Sequence, residues 1–112
     1  MENNKKEAFC PAEEAFKVLA NKWSLIVIKK LSASKLRFNQ IKKKMEGISA
    51  RELSKRLEVL EAIGAVNRKI ISIKPIRVEY SLTEAGNELV QAIEIIHNWT
   101  IKNKKNVKIP GK

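Results

Sequence analysis

The chain has 112 residues and a net charge of +11, from 23 lysines and arginines against 12 acidic residues; that is enough for one domain with its own core, too little for two, and biased toward a polyanionic partner. Cys10 is the only cysteine, His97 the only histidine, and every acidic residue is a glutamate, which excludes an intrachain disulfide, a cysteine-cluster zinc site and a Ser/His/Asp triad. The four glycines make no phosphate-cradling loop, no apolar run approaches the ~20 residues of a membrane span, and the N-terminus lacks a signal-peptide core; the expectations are no enzyme, no catalytic or metal site, no cofactor, no membrane and a cytoplasmic location.

Residues 1–9 are polar and are expected to form a flexible N-terminus ahead of one domain over 10–101. Pro11 suits a first helical position and Glu13 and Glu14 suit a positive helix start, while Ala12, Ala15, Phe16 and Leu19 recur at helical spacing, which predicts a helix near 12–20. Asn21 breaks it. Trp23, Ile26, Val27 and Leu31 then describe a buried second helix with Lys29 and Lys30 at its wet end. Leu36 to Phe38 reads as a short strand. Phe38, Ile41 and Met45 share one face of a third helix, with Lys42, Lys43 and Lys44 outside, and Glu46-Gly47 ends it.

The stretch from Ile48 to Gly64 carries the fullest end signals. Ser49 is an N-cap with Glu52 placed to close a capping box, Ile48 and Leu53 can staple the first turn, and Gly64 suits a left-handed C-terminal cap. Ala50, Leu53, Leu57 and Leu60 form its apolar stripe, opposite Arg51, Ser54, Lys55 and Glu58. Taken alone, this is an ordinary amphipathic helix with a solvated face. Joined by a tight turn to the lysine-rich helix before it, it reads as the second half of a helix-turn-helix, whose early side chains reach base edges in a major groove.

After Gly64 the period becomes two. Ala65 to Ile73 and Arg77 to Leu82 form a hairpin around Lys74-Pro75-Ile76, with Val78, Tyr80 and Leu82 inward, and it carries Arg68, Lys69, Lys74 and Arg77. A helix-turn-helix followed by a basic hairpin is a winged helix. Thr83 caps a last helix on which Leu89, Ile93, Ile96 and Trp99 line one side. That stripe is either core of the monomer or a dimer interface, and a dimer fits a two-fold duplex site. Residues 102–112 are expected to be a basic flexible tail.

The fold expected is therefore α+β, mainly α: a winged helix-turn-helix with a two-stranded wing and N- and C-terminal dimerisation helices. The expected partners are double-stranded DNA and a second copy of the chain. Arg51, Ser54 and Lys55 are placed to read the major groove, Arg68, Lys69, Lys74 and Arg77 to meet phosphates or the minor groove, and Lys42, Lys43 and Lys44 to hold the backbone. The competing readings are a winged helix used as a protein-interaction module and, more remotely, RNA binding, for which the stacking residues Phe38, Tyr80, Trp23 and Trp99 all fall at positions expected to be buried.

Several pieces together resemble the HxlR-type, MarR-like winged-helix transcriptional regulators: C-P at 10–11, K-W-S-L-I at 22–26, R-F-N-Q-I at 37–41, G-I-S-A-R-E-L at 47–53, R-L-E-V-L at 56–60 and P-I-R-V-E-Y-S-L-T at 75–83, with Gly86 beyond. The resemblance implies a nucleoid-associated homodimer held by its terminal helices, Phe16 included, with the helix over 49–63 and the hairpin over 65–82 on duplex DNA. It places Ser49 and Arg51 at the opening of the recognition helix, makes Lys22-Trp23 and Arg37-Phe38 core or backbone-supporting positions, and sets Cys10 where part of the family has a redox-sensing thiol. The family commonly has glycines where this chain has Ala20-Asn21, so a different turn is expected there.

Overall fold

The computed structural model describes residues 10–104; the expected flexible N-terminus over 1–9 and residues 105–112 of the tail expected over 102–112 lie outside them, while Lys102 closes the last helix with Asn103 as its cap. Five helices and three strands follow in the expected order: α1 (Pro11–Leu19), α2 (Lys22–Leu31), β1 (Leu36–Arg37), α3 (Phe38–Lys44), α4 (Ala50–Ala62), β2 (Val66–Ile73), β3 (Ile76–Leu82) and α5 (Glu84–Lys102). No helix among these residues is long and apolar enough to cross a membrane.

Local chemistry sets most of the boundaries. Pro11 opens α1. Asn21 does more than end that helix: its side-chain oxygen accepts from the Trp23 N–H at 2.8 Å and so caps α2. Ala20 turns the corner at φ −78°, a conformation open to any residue, so the glycine common in the family is dispensable. Thr83 accepts from the Gly86 N–H at 3.0 Å to cap α5. Gly64 does need to be glycine, because it leaves α4 at φ +83°.

The core is one cluster. Val27, Ile28 and Leu31 of α2, Leu36 of β1, Ile41 and Met45 on α3 and its end, Ile48, and Leu53, Leu57 and Leu60 of α4 close against Ala65 and Val66. Residues three and four apart on each helix meet here, and this three-helix packing fixes α4 relative to everything else. Phe38, Tyr80, Leu82, Leu89, Val90 and Ile93 pack around the edge, half-buried. Trp23 is half-buried too, with Lys22 Nζ 4.8 Å from its ring centroid.

The short strand joins the wing. Strand order is β1-β3-β2, antiparallel throughout, with Leu36 opposite Tyr80 and Arg37 opposite Glu79 on one edge of β3. On the other edge Val66 faces Leu82 and Lys69 faces Glu79. The sheet is thus three-stranded at its base and two-stranded beyond, where β1 stops.

Three expectations need correcting. Ala50 is exposed, outside the buried stripe of α4, because the first turn overhangs the core. Ser49 Oγ accepts from the Glu52 N–H at 3.0 Å, but Glu52 does not return the bond: its carboxylate lies 3.0 Å from Arg56 Nε, a charge pair one turn on. And Trp99 is 57% exposed, because α5 runs past the end of the core.

Candidate nucleic-acid interface

On α4, Leu53, Leu57 and Leu60 turn inward, so the positions between them turn outward. Arg51, Ser54 and Lys55 are all exposed, as is Ser49 at the cap, and spacing of three and four residues puts Arg51, Ser54, Lys55 and Glu58 along one ridge. The ridge has a charge gradient. Its first two turns are cationic and coincide with the positive end of the helix dipole; its last turns carry Glu58 and Glu61. A polyanion is attracted to the beginning of α4 and repelled from its end.

The acidic end is not left facing solvent alone. A cleft of about 240 Å³ runs between α4 and the wing, lined by Ser54, Leu57, Glu58 and Glu61 on one wall and Arg68 and Tyr80 on the other. Arg68 lies opposite Tyr80 on the inward face of the hairpin and lines the same cleft as Glu58 and Glu61 of α4. The sequence assigned Arg68 to phosphates; the register places it on the face of the hairpin that borders this cleft.

The other cations spread over three elements. Lys43 and Lys44 on α3 are exposed and Lys42 is half-buried, with Asn39, Lys42 and Lys43 lining a shallow depression. On the outward face of the sheet Arg37, Glu79 and Lys69 form one cross-strand row, the single carboxylate between two cations. Lys74 stands at the hairpin turn and Arg77 next to it, both exposed. The recognition ridge adjoins the wing base through the cleft holding Ser54 and Arg68, and the outer wing adjoins the start of α3 through a second cleft of about 370 Å³, lined by Arg37, Phe38, Asn39, Gln40, Ile76, Arg77 and Val78.

A second surface lies away from these cations. Along α5, Gly86 alone is buried; Leu89 and Ile93 are half-buried, while Ile95, Ile96, Trp99 and Ile101 are 57% exposed or more. Phe16 of α1 is 59% exposed and joins Ala12, Ala15, Leu19, Leu89, Ala92, Ile93 and Ile96 around an apolar cleft of about 380 Å³. Lys29 Nζ, 3.3 Å from Glu94 Oε2, ties α2 to the same helix. Cys10 is the N-cap residue of α1, half-buried and unpaired in any disulfide.

Sequence reasoning missed the isoleucines of the outer wing. Ile70, Ile71, Ile73 and Ile76 are 53%, 45%, 78% and 71% exposed. The signal was present as I-I-S-I-K-P-I, since a hairpin tip in plain solvent is usually polar.

No group of three or more potential metal ligands occurs among the described residues. The HxlR-like helix-turn-helix family model matches residues 18–108. The chain is 36% identical to the uncharacterized HTH-type transcriptional regulator YvaP of Bacillus subtilis (strain 168) over 91 residues, 80% of this chain and 84% of that one. Among solved structures, the redox regulator HypR in its reduced form superposes with a TM-score of 0.79 at 34% identity, covering 85% of this chain and 94% of HypR. The reduced form of the transcriptional regulator YodB from B. subtilis gives 0.73 at 32%, covering 82% and 91%. With the winged helix-turn-helix in place, a cationic ridge on its second helix and a family match over most of its length, the chain belongs to the HxlR-like helix-turn-helix family of transcriptional regulators.

Proposed function

We infer that this regulator works as a homodimer that binds a two-fold duplex DNA site, each copy laying the start of α4 in a major groove and its wing on the neighbouring backbone and minor groove. The observation that carries the reading is the charge gradient on α4: Arg51, Ser54 and Lys55 are exposed on its first two turns, and Glu58 and Glu61 close off the far end. Arg51 and Lys55 have the reach and donors for guanine edges, and Ser54 for either partner of a base pair. Lys42, Lys43, Lys44, Arg37, Lys69, Lys74 and Arg77 supply phosphate contacts that position without specifying. Glu58 limits the reading segment, because near phosphates a carboxylate is repelled unless it accepts from a cytosine amine.

The dimer part of the reading is supported by α1 and α5. Exposed Ile95, Ile96 and Trp99 on neighbouring turns of α5, with exposed Phe16 lining the same cleft as Ile96, are more apolar surface than a monomer ordinarily leaves in water. Regulation through Cys10 is supported by its place as the N-cap residue of α1, the helix that carries Phe16, and by the likeness to HypR, named as a redox regulator. A Cys10→Ser variant whose DNA affinity no longer responds to a thiol oxidant, where the parent protein's does, is the expected result; equal responses dismiss it.

Retention of duplex DNA across a salt series tests the reading. A dimer neutralising ~6–10 phosphates loses affinity with a log–log slope of about −0.9 per phosphate. Protein that dimerises yet holds no duplex in a salt-sensitive way belongs instead to the protein-interaction class of winged helices.

A further inference from the structure

The outer wing is built in a way that charge alone does not explain. Beyond the two residues where β1 pairs with it, the hairpin is a two-stranded ribbon that borders the start of α3 only across the cleft holding Ile76, Arg77 and Val78, and β2 is a sheet edge along its whole length. Such ribbons are marginal in water and usually carry charges that keep them single. Here one face is apolar from Ile70 to the tip. The face that forms core at the base, with Val66 opposite Leu82, passes through Arg68 opposite Tyr80, then runs outward as Ile70 opposite Val78 and ends as Ile73 opposite Ile76.

A bulge makes this continuous. The register steps from Ile70↔Val78 to Ser72↔Arg77, leaving Ile71 as the extra residue. Strict alternation would have put Ser72 on the apolar face and Ile73 on the other; the extra residue swaps them. The tip is closed by Lys74 and Pro75, with Ser72 Oγ donating to the Pro75 carbonyl at 2.8 Å. The opposite face carries Lys69, Ser72 and Arg77, and its one carboxylate, Glu79, is bracketed by Arg37 and Lys69. The blade is apolar on one side and cationic on the other and at its end.

We propose that this tip is a wedge for the minor groove of duplex DNA: Ile73 and Ile76 press against deoxyribose walls and base edges while Lys74 and Arg77 hold the phosphates on either rim. The proposal rests on the DNA reading above and adds a specific action to it. A minor groove of ~6 Å is too narrow for a ribbon whose strands stand ~4.8 Å apart with side chains added, so entry widens the groove and bends the duplex away from the protein. Charge selects this occupant over a second copy of the chain, since two such tips repel one another.

The test uses the full-length dimer and a duplex of roughly 30 base pairs carrying a site selected from a random pool, with fluorophores at both ends to read bending. The double variant Ile73→Ser/Ile76→Ser is expected to bind roughly 10- to 100-fold more weakly with an unchanged salt slope and no bend, because it removes apolar contact and no charge. Lys74→Ala, which removes one phosphate contact from each copy, is expected to shift the slope by about two while keeping the bend. Ile73→Val/Ile76→Val restores binding if apolar contact is the cause, and an unchanged melting temperature of the serine variant separates this from misfolding. Serine variants that bind and bend like the parent overturn the wedge, as does DNA-free protein whose assembly beyond a dimer disappears in them, since the tips then cover one another. Parent protein that ignores duplex DNA altogether overturns the DNA reading itself.

Discussion

Gly86 lies against Ala65 so closely that a Cβ added to the glycine would run into the Ala65 carbonyl oxygen, which already accepts from the Thr83 N–H at 3.0 Å. Thr83 Oγ1 donates to the neighbouring Gly64 carbonyl at 2.5 Å while accepting from Gly86. The last residues of the helix-turn-helix are thereby fastened to the first turn of α5. The helix proposed to read DNA and the helix proposed to hold the dimer meet at one small polar joint.

Gly86→Ala should therefore be costly despite adding only a methyl group. The obstacle is backbone, which yields less than a side chain, and overpacking of this kind costs about 1–3 kcal/mol. In a domain near 100 residues each kcal/mol lowers the melting temperature by about 4–8 °C. Thermal unfolding checks it, and a variant that melts with the parent would mean the joint is looser than described.

Arg51 and Lys74 are expected to fail differently. Arg51→Ala should cost about 1–3 kcal/mol on the preferred sequence and flatten preference at one base pair of each half-site, whereas Lys74→Ala should weaken all duplexes alike. Competition binding against a panel of single-base variants separates the two. Equal losses on every sequence from both variants would remove the division between reading and positioning.

Ile96→Glu is the sharpest probe of the α1–α5 surface. Ile96 lines the cleft that Phe16 borders and is 58% exposed, so the substitution leaves the monomer core intact. A glutamate facing its own copy in an apolar interface should dissociate the dimer, because a buried unpaired charge costs several kcal/mol. Sedimentation should show halved mass with an unchanged melting profile at high dilution. A variant that sediments like the parent locates the interface elsewhere.

Legibility in the sequence followed how local each determinant was. The caps at Ser49 and Thr83, the proline opening α1 and the glycine closing α4 act within four residues and were readable directly. The position of the recognition helix followed from them. What depended on register was less accessible. Arg68 looks like any other wing cation until pairing with Tyr80 puts it on the face that borders the cleft with Glu58 and Glu61. The bulge at Ile71, which aligns Ile73 with Ile76, has no one-residue signature. Trp99 was placed by helical spacing on a stripe that could be core or dimer interface; its exposure depends on how far the core extends under α5, a tertiary fact.

The central claim is that two copies of this chain read a two-fold duplex site with the start of α4. Selection of bound sequences from a random duplex pool by the intact protein tests it most directly. The expected result is an inverted repeat with half-sites about one helical turn, ~10 base pairs, or a multiple of it apart, lost when Arg51 is replaced by alanine. A pool that stays random through successive rounds, or enriches a sequence that the Arg51→Ala variant selects equally well, would contradict it.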